Sequence, residues 1–543
     1  MAAGLALALA ACLGPIANPD LWWHLSAGRY VLLHHAAPRA DFLSWTRQGQ
    51  PWIDFEWGAQ ALLSLCERLG GFRALWLLKS SAFAGLVALF AALLKSWRLP
   101  DSWTGAALVP FAACLVPSLD LRPEIASFAF CLLELGALEA RRAGPRRTGD
   151  AALLAAHFAL YAAWANLHAG FPLGLLLCLC FGAGEAFRGR REPIWLLLAA
   201  AGALGTLANP YGPRIYGVFL EHWRQAAALR AHVVEWYRPG LANYYLAPYW
   251  AATAFSILVF ARGWATGKSA PAAHVAAAAA FAALSAASAR LTVYGGLIVF
   301  PLALRAAWRQ DWPASRRRPR RWLLGAALAG VAALGAAALW RDGLFRRLDS
   351  TGRLAPKGVA RFLAREAPVL SRLRMYNSFN AGGYLGYALY PDYKVFMDGR
   401  YLFGGDLKLV AEQALASPDS WGRFLSERGI ALAVMELPAV LAGGRPVDLY
   451  YFPREDWALV DWDGRYGVWA RRAAVPAGWL ARREFRLLHP RDLRFLSLDV
   501  ISRGAPVRSA VLAEVDRYVR EDGEPAEAER LARWARTLDG ETR

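Results

Sequence analysis

The chain has 543 residues, 56% of them hydrophobic, and a formal net charge of +19, with a mean hydropathy of +0.23. It is too apolar for an ordinary soluble enzyme and long enough for more than one domain, so a membrane protein is the first expectation. The basic excess does not mark a nucleic-acid binder, because it sits in short clusters between apolar runs and no nucleic-acid motif accompanies it.

Apolar runs suited to crossing a bilayer fall at residues 2–17, 73–94, 103–119, 125–140, 151–167, 171–187, 194–208, 244–261, 271–289, 292–308 and 322–340. They predict about eleven spans, several of them shorter than the roughly 20 residues that a straight span needs. No positive residue precedes the first run, which therefore reads as a span and not as a cleaved signal. With loops assigned to alternate sides, the basic clusters fall together: Lys95 and Arg98, Arg141 to Arg147, Arg188 to Arg191, Arg262 with Lys268, and residues 309–321. That side is cytoplasmic and holds the N-terminus, since Lys and Arg near a span resist translocation. The outer side receives residues 18–72, the loops at Arg122 and Arg290, the span end at His168, residues 209–243, and everything after Trp340. The cysteines at 12, 66, 114, 131, 178 and 180 lie almost entirely in apolar runs, which points to buried hydrophobes and away from a disulfide framework or a zinc site.

Within the first outer segment, residues 57–69 have an amphipathic pattern too short to span, expected to lie along the interface near Trp22, Trp23, Trp45, Trp52 and Trp57. After Trp340 the long apolar runs give way to short alternating ones. A helix is predicted at 359–364, buried strands at 394–398 and 430–435, and a hairpin of 457–462 with 466–471 that turns at Asp463-Gly464. Amphipathic helices follow at 509–520 and 526–538. The expected fold is a polytopic α-helical membrane protein with a C-terminal soluble α/β domain. Its parts are a transmembrane domain at 1–340, with first outer loop 18–72, an α/β domain at 341–500, and a helical tail at 501–543.

The sharpest polar constellation is Asn18-Pro19-Asp20-Leu21-Trp22-Trp23-His24-Leu25, where the first span ends. Asp20 and His24 are four apart and share a face if helical. Such a carboxylate suits a general base or a ligand for a divalent metal, and equally suits a helix cap. Asp54 and Glu56, two apart, face one side if extended; with Asp20 they would make a carboxylate cluster for Mg or Mn, Asp20 and Glu56 being the metal candidates, or else cap the helix that follows. Arg122, Arg214 and Arg290 in outer loops suit a lipid phosphate, because the guanidinium fork makes two charge-assisted bonds; each also suits a snorkelling interface residue. His168, in Asn166-Leu167-His168-Ala169-Gly170, suits a neutral structural histidine, and Asn209 opens the turn Asn209-Pro210-Tyr211-Gly212. The Gly-rich stretch from Asn380 to Tyr387 lacks the ending of a phosphate loop, and Asp398-Gly399-Arg400 reads either as a ligand-contacting turn or as a structural one.

These residues resemble the glycosyltransferase C superfamily, the polytopic enzymes that use polyprenyl-phosphate-linked sugars, and within it the bacterial relatives of protein mannosyltransferases. The likeness is carried by an acid after the first span (Asp20), aromatics behind it, a long first outer loop and a domain after the last span. It extends to a group of bacterial membrane proteins with an Asp-x-Trp-Trp-His-Leu start, an Arg-Pro turn (Arg122-Pro123), an Asn-Leu-His span end, an Asn-Pro-Tyr-Gly turn and a Gly-Gly-Tyr-Leu to Asp-Gly-Arg tail (Gly382 to Arg400). Two departures stand out. The span end finishes in Ala169 where the pattern has Gly, and Phe55-Glu56-Trp57 replaces a His-x-Pro-Pro element.

The resemblance implies a sugar transfer at the outer face of a bacterial inner membrane, from a polyprenyl-phosphate donor to an envelope protein or glycan acceptor. Asp20 would activate the acceptor with help from Asp54 or Glu56, His24 would position it, and Arg122, Arg214 or Arg290 would neutralise the phosphate. His168 and Asn209 would line the acceptor side. Two other classes are kept open: a non-catalytic scaffold for envelope assembly, and a lipid or solute transporter, against which counts the scarcity of ionisable residues in the spans beyond Glu134 and Lys79.

Overall fold

The structure is a computed structural model describing residues 13–144, 150–310, 355–437, 448–521 and 525–538, with isolated positions 4, 6 and 8. Half of the expected span at 2–17 and all of that at 322–340 lie outside the described residues. The chain divides into two compact units, one of Met1–Asn18, Ala27–Pro38 and Ile53–Ser350, the other of Pro19–Ser26, Arg39–Trp52 and Thr351–Arg543.

The first unit is helical. Its elements are the later part of α1 (Leu21–His34), then α2 (Trp57–Ser96), α3 (Asp101–Leu115), α4 (Glu124–Ala143), α5 (Asp150–Leu167), α6 (Phe171–Phe187), α7 (Ile194–Thr206), α8 (Gly217–His232), α9 (Ala247–Ala265), α10 (Ala272–Ala287) and α11 (Thr292–Arg309). Each expected run from 73–94 to 292–308 is thus occupied by a helix, the structure in which an apolar segment satisfies its own backbone groups. Among the described residues, Trp57–Ser96 and Ala289–Arg309 are long and apolar enough to cross a membrane; α6, α7 and α10 are apolar but shorter. α2 is broken at Gly70 and Gly71, the latter at φ 60°, ψ −150°, a conformation open essentially to glycine. The expected interfacial helix at 57–69 is therefore set off from the span after it.

Small residues let the helices approach closely. A Cβ at Gly205 of α7 would strike the carbonyl of Phe158 on α5, and one at Gly184 of α6 would strike the backbone of Ala273 on α10. Lys79, expected in mid-span, donates from Nζ to the carbonyls of Gly14 and Pro15 at 2.6 and 2.7 Å, so its charge ends on chain carbonyls.

The second unit is built on a four-stranded sheet in the order β1 (Arg374–Asn377), β2 (Ile430–Glu436), β4 (Tyr466–Arg471), β3 (Trp457–Trp462). β1 and β2 run parallel, and the other neighbours are antiparallel, with Val434 opposite Val468 and Leu459 opposite Trp469. Both faces are covered, which accounts for strands that are buried almost throughout. Leu432 and Val434 join Val359, Leu363, Leu385 and Val460 on one side. Ala433 joins Phe396, Trp421, Phe424 and Trp469 on the other, together with Val511, Val515, Tyr518 and Leu531 from the C-terminal helices Ala505–Glu521 and Pro525–Leu538. These two helices of the expected tail thus share the core of the α/β unit, and a helix at Leu493–Arg503 runs across the expected boundary at residue 500.

Two local expectations differ from the structure. Residues 394–398 form no strand; apart from a bridge between Ser44 and Val395, their backbone groups are taken by loop partners. Val395 exchanges backbone bonds with Leu43 and Trp45, while the Asn377 side chain accepts from Phe396 N at 2.7 Å and donates to Met397 O at 2.7 Å. The glycine-rich stretch lies inside a helix, Phe379–Leu389, where Gly382 packs so closely on Met397 that a Cβ would overlap its carbonyl.

Candidate functional site

In the second unit, Asp20 immediately precedes the first helical residue, Leu21, and its carboxylate accepts from the indole Nε1 of Trp23 at 3.3 Å. Gly399 lies directly against Oδ1, and a Cβ there would overlap it. The buried ring of His24 lies tilted against Trp23 with centroids 3.7 Å apart, while Trp22 contacts Tyr384 and Tyr387 of the helix Phe379–Leu389. The acid of the Asp-x-Trp-Trp-His-Leu motif is therefore positioned by the Asp-Gly-Arg turn some 380 residues later in the chain. That turn is itself rigid: Arg400, Asp398 and Asp41 are all buried. Arg400 donates to Asp398 at 2.8 to 3.0 Å and to Asp41 at 2.6 Å, with its guanidinium 4.6 Å above the Trp52 ring. Asp41 in turn accepts from the backbone of Leu43 and Ser44 at 3.2 Å. Burial opposes the charge on Arg400, but Asp398 and Asp41 outweigh it and push the pKa up. Arg400 is thus a structural cation whose donors serve the fold.

The first unit gathers most of the other candidates. Arg122 makes a bidentate pair with Glu235, at 2.8 and 2.5 Å, and reaches Asn18 Oδ1 at 3.3 Å. Arg290 lies 3.3 Å from Glu124 and 3.7 Å from Glu235. Glu124, buried at the start of α4, also accepts from Tyr294 at 3.3 Å. For Glu235 burial acts to raise the pKa, but the Arg122 hydrogen bond and the charges of Arg122 and Arg290 bring it down to about 2.

His168 extends the cluster. Its Nδ1 is 2.7 Å from Ser127 Oγ, which accepts from Trp164 Nε1 at 2.6 Å, and its Nε2 is 3.6 Å from Glu56. The short distance to Glu56 suggests an ion pair, yet burial pushes the His168 pKa down to about 4. The neutral form fits the network better: with Ser127 already accepting the indole proton, its own hydroxyl proton is placed to donate to Nδ1, leaving the ring proton on Nε2 toward Glu56. In that form Nδ1 accepts from Ser127 and the Nε2 proton faces Glu56.

Asp54 and Glu56 go to different partners. Asp54 accepts from Gln60 Nε2 at 2.8 Å, while Glu56 faces His168. Asn209 is committed to its turn, donating to Thr206 O and Gly212 O at 2.6 and 3.0 Å and accepting from Tyr211 N at 2.7 Å. Arg214 is exposed on the turn Gly212–Tyr216. Sequence reasoning missed Glu124, Ser127, Tyr294 and Glu235. Glu124 was within reach, as the acid that follows Arg122-Pro123, whereas Glu235 carries no local signal.

Ionisable residues inside the helices are more numerous than expected. Along α4, Glu134 meets His157 at 3.2 Å and Tyr161 at 3.2 Å, and Glu139 meets His274 at 2.5 Å, Arg142 at 2.7 Å, and Arg305. For the expected Mg or Mn, no group of three His, Cys, Asp or Glu side chains suited to an ion converges among the described residues, and Asp20 and Glu56 belong to different units. The described residues of either unit do not gather the ligands that a resident Mg or Mn would need.

No family model and no curated protein matches the chain. Among solved structures, it is similar to the oligosaccharyltransferase of Archaeoglobus fulgidus tethered with an acceptor peptide, at 12% identity and a TM-score of 0.52 over 80% of this chain and 68% of that one. The apo form of that enzyme gives 11% identity and a TM-score of 0.51, over 80% and 69%. ArnT from Cupriavidus metallidurans bound to undecaprenyl phosphate gives 16% identity and a TM-score of 0.47, over 86% and 96%. With its helical unit and small sheet, this chain shares the fold of that archaeal oligosaccharyltransferase.

Proposed function

We propose that this protein is a glycosyltransferase that moves a sugar from a polyprenyl-phosphate donor to an envelope acceptor at the outer face of a bacterial inner membrane. About eleven spans, a cytoplasmic N-terminus and an extracytoplasmic C-terminal unit belong to the same reading, as does kinship with the Asp-x-Trp-Trp-His-Leu group. The observation that carries it is the convergence of two arginine forks, Arg122 and Arg290, beside buried Glu124 and neutral His168 in a unit with the superfamily fold. ArnT, bound to undecaprenyl phosphate, and the oligosaccharyltransferase, tethered to its acceptor peptide, supply the substrate classes by analogy.

In this reaction an acceptor hydroxyl or amide attacks the anomeric carbon and the bond from that carbon to the phosphate oxygen breaks. The acceptor proton goes to a base, and the polyprenyl phosphate leaves with the negative charge. Arg122 and Arg290 take the phosphate, where that charge develops, because preorganised donors are most effective there. Arg214, exposed on its turn, is a lesser candidate for the same role. Asp20 is assigned the base on the resemblance, with His24 orienting the acceptor and Asp54 or Glu56 assisting.

The test is transfer of label from radiolabelled polyprenyl-phosphate sugars to an envelope extract by the purified protein, with Asp20→Asn beside it. Removal of a general base should cost about 10²-fold or more. No transfer with any donor, from folded protein, would favour the scaffold. A second reading, a proton-coupled transporter, is favoured by the buried Glu134–His157 and Glu139–His274 pairs, since ionisable residues inside a membrane often mark ion pathways. Dissipation of an imposed pH gradient in liposomes, lost in Glu134→Gln, would support that reading instead.

A further inference from the structure

Glu235 reaches both arginines of the first unit at once: Arg122 through two donors at 2.5 and 2.8 Å, and Arg290 at 3.7 Å. The cluster's other carboxylate, Glu124, differs in kind. Its side chain is 4% exposed, at the start of α4, and it keeps Arg290 and Tyr294 as partners. Glu235 sits on the three-residue turn Val234–Trp236, and its side chain is 36% exposed against 17% for Arg122 and 30% for Arg290, so it is the member of the cluster most open to solvent. Its backbone is anchored, with its carbonyl accepting from Ser288 Oγ at 3.1 Å, so the side chain can leave without the turn moving.

Two guanidinium forks around one carboxylate make the same planar, charge-assisted bonds that they make with a phosphate. The charges match as well. Without Glu235, the two arginines and Glu124 carry +1, the complement of a phosphodiester monoanion, and Glu235 supplies that same single negative charge. We propose that Glu235 is an internal stand-in for the substrate phosphate: it keeps Arg122 and Arg290 paired and preorganised in the resting chain and is displaced when a phosphate ester binds. Both halves of this exchange are ionic, so it involves no covalent step. The proposal rests on the glycosyltransferase reading for the lipid that carries the phosphate. Since Glu235 is anionic throughout the physiological range, it competes with the ligand at every working pH, and the apparent affinity is lowered by the fraction of molecules in which it occupies the forks.

The test is equilibrium binding to the purified full chain in detergent of three probes: undecaprenyl phosphate, undecaprenol and inorganic phosphate. Glu235→Gln, neutral and nearly isosteric, should tighten undecaprenyl phosphate by about tenfold if the stand-in holds the forks nine-tenths of the time. Undecaprenol should not respond. Glu235→Asp, which keeps the charge, should stay near wild type, and Arg122→Ala should weaken binding in both backgrounds. An equal gain for inorganic phosphate would support the stand-in and name the free ion as its ligand. Unchanged or weaker binding in Glu235→Gln, with Arg122→Ala still weakening it, would overturn the stand-in and leave the glycosyltransferase reading in place. If neither Arg122→Ala nor Arg290→Ala affects lipid binding, in protein that melts like wild type, both ideas fail.

Discussion

Gly399 lies so close to Asp20 that any side chain at this position would overlap the carboxylate oxygen, with Trp23 Nε1 only 3.2 Å from where a Cβ would stand. The contact joins the first motif of the chain to one of the last, and it makes a prediction that does not touch the acid itself. Gly399→Ala should displace the Asp20 carboxylate by about 1 Å and lower sugar transfer by roughly 10²-fold, since a misplacement of that size is enough to spoil a reacting geometry. The melting temperature should move little, because the overlap is with a single side chain. Wild-type transfer rates in Gly399→Ala would separate the function of the protein from the position of Asp20.

Arg400 tests the opposite kind of residue. It is 2% exposed, paired with two buried aspartates and stacked over Trp52, so its removal leaves two uncompensated charges inside the second unit. Arg400→Ala should destabilise that unit by about 3–5 kcal/mol, and Arg400→Lys should recover little of it because an ammonium lacks the fork. Limited proteolysis of the C-terminal unit against temperature measures this directly. An Arg400→Ala protein that melts like wild type yet loses ligand binding would return the Asp-Gly-Arg turn to the site.

His168 predicts an acid limb. Its pKa falls from 6.5 to about 4 on burial. The unfolded chain therefore takes up this proton first as the pH drops. The stability that a neutral His168 contributes is fully present above pH 6.5 and is lost progressively as the pH falls toward 4, by roughly 3 kcal/mol at most. In His168→Asn the melting temperature should decline less steeply across that window than in wild type. Parallel profiles would mean that folding leaves the imidazole unshifted, and a steeper decline in His168→Asn that it is protonated in the folded chain and paired with Glu56.

What was legible beforehand follows the range of the interactions involved. The helices at 150–167, 171–187 and 292–309 and the hairpin turning at Asp463-Gly464 lie close to where composition and periodicity put them, because a backbone hydrogen-bond pattern and a buried face are local properties. Residues 394–398 look like a strand for the same reason, being apolar and β-prone, but their donors and acceptors are claimed by Leu43, Trp45 and Asn377, which no local window contains. The ionisable residues on α4 are visible in the sequence, yet their partners come from three other helices, so their pairing was not.

The site divides in the same way. The sequence by itself determined that this is a chain of apolar helices with an α/β unit after them, and it marked Asp20, Arg122, Arg290, His168 and Glu56 as chemically loaded positions. Tertiary structure alone decided that Gly399 holds Asp20, that Arg400 is structural, that Asn209 serves its turn, and that Arg122 and Arg290 meet on Glu235. Helix and strand periodicity repeat within a few residues. An ion pair between positions 122 and 235 depends on how several helices pack, and that packing is set by side-chain volumes along the whole chain.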